Sequence, residues 1–167
     1  MSANHKSGSE REFPHSHLIQ FGIPILFIVI WLLDSKIFLI SVWINEYIPL
    51  TVRIILFVSV LTLSLILIFL AHKILFGKNI GPSDRLITSG ILKYVRNPLY
   101  LGVLLIYVAF IMLSISLISL ILFVIICLIY DRMVNFEEKI LEEMFGDAYL
   151  EYKKKVPKWI PNPIKKK

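Results

Sequence analysis

Residues 99–130 read LYLGVLLIYVAFIMLSISLISLILFVIICLIY, 32 positions without a single charge. As one helix this run would be about 48 Å long at 1.5 Å per residue, against a hydrocarbon core of about 30 Å. As two helices, each would be short. Ser114, Ser116 and Ser119 lie near its middle and ease a turn, although no glycine or proline marks one. The flanking charges decide between the two. The segment before the run holds Lys73, Lys78, Arg85, Lys93 and Arg96, and the segment after it holds Arg132, Lys139, Lys153, Lys154, Lys155, Lys158 and Lys165 to Lys167. Basic residues concentrate on the cytoplasmic side of membrane proteins. Both segments then share one side, an even number of crossings separates them, and the run is a hairpin. A hairpin brings two polar clusters to one membrane face: Val95 to Gly102 at its start, and Asp131-Arg132 with Glu137-Glu138 after its end.

The rest of the composition agrees with a membrane protein. Apolar residues make up 57% of the chain and charged ones 18%. A soluble domain of 167 residues has too little interior to hide that much apolar surface. The net charge of +6 fits a cytoplasmic face and anionic lipid better than nucleic acid. The one cysteine, Cys127, lies inside the apolar run, which excludes an internal disulfide or a Cys-rich metal site. A first span is expected over Leu18 to Leu33, tolerating Pro24, and a second over Ile54 to Phe76. Trp31, Trp43 and Tyr47 read as boundary residues. Ile37 to Ile44 is too short to cross and reads as interfacial or packed on the bundle.

The reading is thus an all-α integral membrane protein with about four transmembrane helices, the last two a hairpin, and both termini cytoplasmic. Residues 1–17 read as a polar tail rather than a signal peptide, since no small-residue cleavage pattern follows. His5, His15 and His17 there lack carboxylate or thiol partners at ligand spacing, so no metal is expected. Val134 to Tyr152 reads as a C-terminal amphipathic helix that lies on the cytoplasmic surface or caps the bundle, with Gly146 as the point of interruption. Phe136, Ile140, Leu141, Met144, Phe145, Ala148, Tyr149 and Tyr152 share one face, while Glu138, Lys139, Glu142 and Glu151 lie largely on the other.

Each candidate functional residue has a plain structural reading beside the chemical one. Asn97-Pro98 is a good helix start, and its exposed N–H groups, with Lys93 and Arg96 close by, also suit an anion. Glu137 and Glu138 either stabilise a helix or place a carboxylate in a pocket that favours a cation or an amine. Arg132 is either a membrane anchor or a holder of an acidic substrate. The loop from Phe76 to Pro98, with Gly77, Gly81, Pro82 and Gly90, is long for a simple connection and carries no phosphate-loop or dinucleotide pattern.

Taken together, the fragments resemble the isoprenylcysteine carboxyl methyltransferase family. Leu86-Ile87-Thr88-Ser89-Gly90 followed by Arg96-Asn97-Pro98-Leu99-Tyr100-Leu101-Gly102 is similar to its cofactor motif. Glu137-Glu138, Leu141, Phe145-Gly146, Tyr149, Tyr152, Val156-Pro157 and Ile160-Pro161 resemble its C-terminal signature. The likeness covers about the last half of the chain. It implies one membrane methyltransferase domain over residues 18–167, with a cofactor-binding part about residues 77–161, that uses S-adenosylmethionine. By motif position it implies cofactor contacts at Asp84, Arg85, Leu86, Ile87, Leu92, Asn97, Pro98, Leu99, Tyr100 and Glu137. Arg132, offset by about one position, matches an arginine that contacts substrate, so Arg132, Glu137 and Glu138 are the expected catalytic group. Three positions depart from the pattern: Asn97 stands where the family often has His, Ile91-Leu92 replaces Pro-Tyr, and Lys158 replaces Arg.

The resemblance implies a lipophilic acceptor, most directly the carboxylate of a prenylated cysteine. Already ionised, that group needs positioning more than a base. A phospholipid amine is the alternative and would need a base such as Glu138. A membrane sterol reductase or a non-enzymatic membrane protein are the remaining readings. The expected location is the plasma membrane in a microbe or the endoplasmic reticulum in a eukaryote.

Overall fold

The computed structural model describes residues 16–76 and 86–160, and among these every regular element is helical. Helix α1 spans Ser16–Leu32 and continues as a π-helical turn over Leu33–Phe38; α2 spans Leu50–Leu75, α3 Pro98–Ser114, α4 Leu117–Phe145 and α5 Asp147–Lys155. Three helical stretches are long and apolar enough to cross a membrane: Leu18–Phe38, Leu50–Leu75 and Leu117–Phe145. The apolar α3 is shorter. Its 17 residues reach about 26 Å at 1.5 Å per residue. Many large apolar side chains point outward, among them Ile55, Phe69, Ile121 and Leu128. In water such a surface would be unstable, whereas lipid is its natural solvent.

The long uncharged run does double back. Helix α3 stops at Ile115, whose backbone is left-handed at φ 42° and ψ 47°, a conformation a β-branched residue seldom takes. A buried polar knot holds it there. The Asp34 carboxylate, 3% exposed, accepts from Ser41 N at 2.9 Å and from the Ser41 and Ser116 hydroxyls at 2.5 Å each. The helix ends meeting at this turn must find partners for their free backbone groups. Leu117 N donates to Ser41 O at 3.3 Å and Ile118 N to Ser41 Oγ at 3.0 Å. Ser116 caps α4 by accepting from Ser119 N at 3.0 Å. At the end of α3, Leu113 O accepts from Arg53 Nη1 and Phe110 O from the Trp31 indole, both at 3.0 Å. Ser114 Oγ takes a second, shorter bond from that indole, at 2.7 Å. The serines therefore build the turn that neither glycine nor proline marks.

Three sequence expectations need correction. Trp31 is not a boundary residue: it is 6% exposed and sits in a core of Phe27, Tyr107, Ile111, Ile126, Tyr130 and Met133, because Ser114 and Phe110 O give its N–H a polar destination inside the bundle. The second span starts at Leu50 rather than Ile54, since Arg53 reaches the α3 end from within the helix. No surface helix begins at Val134. Helix α4 runs unbroken to Phe145, because nothing in Asp131 to Val134 interrupts helical hydrogen bonding. Gly146, at φ +53°, makes the break, and α5 follows it. Within the Ile37 to Ile44 stretch, Ser41 and Val42 are buried while Ile37 and Ile40 are exposed. Ser16 and His17, expected in the polar tail, already belong to α1, while residues 1–15, Gly77, Gly81, Pro82 and the final lysines lie outside the described residues.

Helices α2 and α3 pack closely through Gly102. The Ser64 hydroxyl donates to Gly102 O at 2.7 Å, and a Cβ added at Gly102 would lie 2.6 Å from Ile68 Cγ1 and 3.2 Å from Ser64 O. Backbone on one side of that contact cannot move aside. Gly102→Ala is therefore expected to force the helices apart and cost about 1–3 kcal/mol, the usual range for overpacking. Thermal unfolding in detergent should show a lower midpoint; an unchanged midpoint would mean that the pair separates freely.

Candidate functional site

The hairpin returns α4 to the start of α3, where the sequence's polar clusters meet. Asn97 and Pro98 open α3 as its cap and first residue. The Asn97 side chain does not cap the helix. Its Nδ2 donates to Glu138 Oε1 at 3.0 Å and reaches Lys158 O at 3.5 Å.

Arg96 is the junction of this region. Its Nε donates to Glu138 Oε1 at 2.9 Å and its Nη2 to Glu138 Oε2 at 3.1 Å, the forked geometry that guanidinium and carboxylate favour. Nη1 donates to Lys153 O at 2.9 Å and Val156 O at 2.7 Å, and the Arg96 backbone N–H to Pro157 O at 3.0 Å. Both side chains are nearly closed to solvent, at 8% and 3% exposure. One residue thus ties together the start of α3, the middle of α4, the end of α5 and the segment after it. The Arg96 charge is spent on Glu138 and carbonyl oxygens rather than held open for an anion.

The segment after α5 is anchored to α4 as well. Lys158 Nζ donates to the Asp131 carboxylate and, at 2.9 Å, to Asn135 Oδ1, while Trp159 Nε1 donates to Asp131 Oδ1 at 3.0 Å. A small second core of Tyr149, Tyr152 and Val156, with Leu86, Leu141 and Phe145 against it, fills the space below. Tyr152 donates its hydroxyl to Leu92 O at 2.7 Å, and burial pushes that hydroxyl up to about 12. The folded state prefers the protonated phenol, so this contribution is complete below the ordinary value near 10 and is lost as pH rises toward 12. Burial, and then the Glu138 carboxylate, push Tyr149 up in the same way.

Two adjoining cavities share Leu75, Leu92, Arg96, Asn97 and Leu141 as walls. The smaller, about 250 Å³, is otherwise apolar and aromatic, with Leu86, Ile87, Met144, Phe145, Tyr149 and Tyr152. The larger, about 470 Å³, adds Pro98, Leu99, Tyr100, Val103, Tyr130, Glu137, Phe76 and Gln20, and lies in the usual size range of ligand sites. The Tyr100 hydroxyl donates to Glu137 Oε1 across it. An anionic oxygen beside an apolar slot suits a ligand that combines a cationic group with a flat or apolar body.

Of the residues expected from sequence, Leu86, Ile87, Leu92, Asn97, Pro98, Leu99, Tyr100 and Glu137 all line one cavity or the other. Glu138 belongs to the buried Arg96 junction, on the opposite side of the helix from the solvent face expected for it. Arg132 is exposed and lines neither cavity. Asp84 and Arg85 lie outside the described residues. Gln20, Leu75, Phe76, Val103 and Tyr130 also line the larger cavity and were not expected there. Gln20 alone left a trace, as the one amide in an otherwise apolar span. Leu75 and Phe76 look like any other residues at a span's end.

Comparison with known proteins gives two findings. A model of the phospholipid methyltransferase family matches residues 48–148, which take in the whole of α2, α3 and α4. Over 77 residues the chain is 38% identical to "Protein-S-isoprenylcysteine O-methyltransferase" of Schizosaccharomyces pombe, a match covering 46% of this chain and 33% of that protein. The chain thus spans about a third of the length of that relative.

Proposed function

The chain belongs to the phospholipid methyltransferase family, and on that premise we propose that it is a membrane enzyme that moves a methyl group from S-adenosylmethionine to a lipophilic acceptor. The observation that carries this reading is the hydrogen-bonded pair Tyr100–Glu137 in the wall of the larger cavity, which shares five wall residues with an apolar slot. The donor set fits the cofactor. Glu137 supplies a carboxylate for its cationic groups, and Leu86, Ile87, Leu92, Phe145 and Tyr149 supply an apolar bed for its base. Asn97 lines both cavities and Pro98, Leu99 and Tyr100 the larger one, and Asp84 and Arg85 complete the set by motif position. When bound, S-adenosylmethionine supplies a methyl group already activated by a sulfonium centre.

The chain's own residues then have three tasks. The cavity walls exclude water, which strengthens every electrostatic contact inside. Tyr100 fixes the Glu137 carboxylate in one orientation. The Arg96–Glu138 junction holds α3, α4 and α5 in register, so that the reacting groups are positioned rather than activated. We place the cavities and both termini on the cytoplasmic side, with four crossings, following the charge distribution.

The prenylcysteine carboxylate remains the first acceptor, on the resemblance and on the relative's name. A second reading, transfer to a phospholipid amine, is favoured by one observation: Glu137 lines the cavity and Arg132 does not. An anionic wall is better suited to an amine. Purified protein in lipid nanodiscs, given radiolabelled S-adenosylmethionine and either N-acetyl-S-farnesylcysteine or phosphatidylethanolamine, should label one of them. A base-labile ester identifies the first and a stable N-methyl product the second. Folded protein that binds the cofactor product yet labels neither would refute both acceptors.

A further inference from the structure

Helix α1 lies outside the stretch matched by the family model, yet it reaches the larger cavity through Gln20. Apart from the Trp31 indole, Gln20 carries the only polar side-chain atoms in Leu18 to Leu33. A polar group in a membrane helix is costly where it faces only lipid, and so points to function.

It stands in the same cavity wall as the Tyr100–Glu137 pair. The Gln20 amide approaches the Tyr100 hydroxyl closely enough to interact with it. A tyrosine hydroxyl has one hydrogen, and Tyr100 gives its hydrogen to Glu137. Toward Gln20 the hydroxyl can only accept. Gln20 lines the cavity together with both, and with its NH₂ toward the Tyr100 oxygen, the orientation in which the two groups attract, its carbonyl Oε1 is an acceptor in that cavity. An amide carbonyl in the cavity wall recognises a group that bears N–H.

Resting on the methyltransferase reading above, we propose that Gln20 is a specificity-determining residue that accepts a hydrogen bond from an N–H on the methylated atom or within a few bonds of it. The amide N–H of a cysteine derivative and the amine of an ethanolamine lipid both offer that chemistry.

The test compares acceptors with and without the hydrogen, in wild type and in Gln20→Leu. One arm pairs N-acetyl-S-farnesylcysteine with its N-methylated amide counterpart. The other pairs phosphatidylethanolamine with its N,N-dimethyl form. Wild type should prefer the N–H-bearing member of the pair it turns over by roughly 2- to 12-fold in kcat/KM, the worth of one neutral hydrogen bond. In Gln20→Leu that preference should vanish, while S-adenosylhomocysteine affinity, measured by calorimetry, stays within twofold and so reports an intact fold. Equal loss on both members of a pair, or a parallel fall in S-adenosylhomocysteine affinity, would overturn the assignment and leave the methyltransferase reading standing. A wild-type protein that neither binds S-adenosylhomocysteine nor turns over any of the four acceptors overturns both.

Discussion

Glu138→Ala should unfold the end of the bundle that carries the cavities. The substitution leaves the Arg96 guanidinium, itself only 8% exposed, with two carbonyl partners and no carboxylate. Breaking a buried pair by removing one member typically costs about 3–5 kcal/mol, because the surviving charge stays desolvated. A fold of marginal stability loses a large share of its reserve in that step. The loss should spread, since Arg96 also holds the carbonyls of Lys153 and Val156. Limited proteolysis should cut first near α5, and S-adenosylhomocysteine binding should disappear with the fold rather than weaken gradually. Replacing both partners by apolar residues, Arg96→Met with Glu138→Leu, should recover much of the stability. A Glu138→Ala protein that melts like wild type would show that the junction carries no load.

Glu137→Ala should act in the opposite order. Glu137 stands outside the Arg96 junction, and its carboxylate lines the larger cavity with the Tyr100 hydroxyl on it. Removing it takes the anionic acceptor from the site and releases the Tyr100 hydroxyl to solvent within the cavity. A hydrogen bond to a charged group is worth about 1.5–3 kcal/mol, so S-adenosylhomocysteine affinity should fall roughly 10- to 150-fold while the unfolding midpoint stays close to wild type. Tyr100→Phe should give a smaller fall in the same direction, since the carboxylate remains. Glu137→Ala with affinity within twofold of wild type would remove Glu137 from the cofactor site. The adjacent carboxylates thus separate cleanly: one variant is read by stability, the other by binding.

The hairpin was legible in the sequence because charge bias is a global signal. Lysines and arginines far apart in the chain agree on one side, and length then forces two short helices. The cavity-lining residues were legible through motif order, from Leu86 through Tyr100 to Glu137. What stayed hidden depends on the third dimension. Asp34 reads as an ordinary loop acid until Ser41 and Ser116 are seen to close on it. Glu138 follows the polar stripe of an amphipathic helix, and only Arg96, 42 residues earlier, shows that this stripe faces protein. The extent of α4 was hidden for a local reason. A membrane span and a surface helix obey the same backbone rules, so the composition change after Tyr130 carries no mark of whether the helix stops.

The hairpin's return to one shared cavity is the claim on which the rest depends, and calorimetric titration of the purified full chain with S-adenosylhomocysteine tests it most directly. One saturable site per chain is expected, weakened by Glu137→Ala and by Tyr100→Phe alike. Saturable binding that neither substitution alters, or no binding to protein shown to be folded, would contradict it.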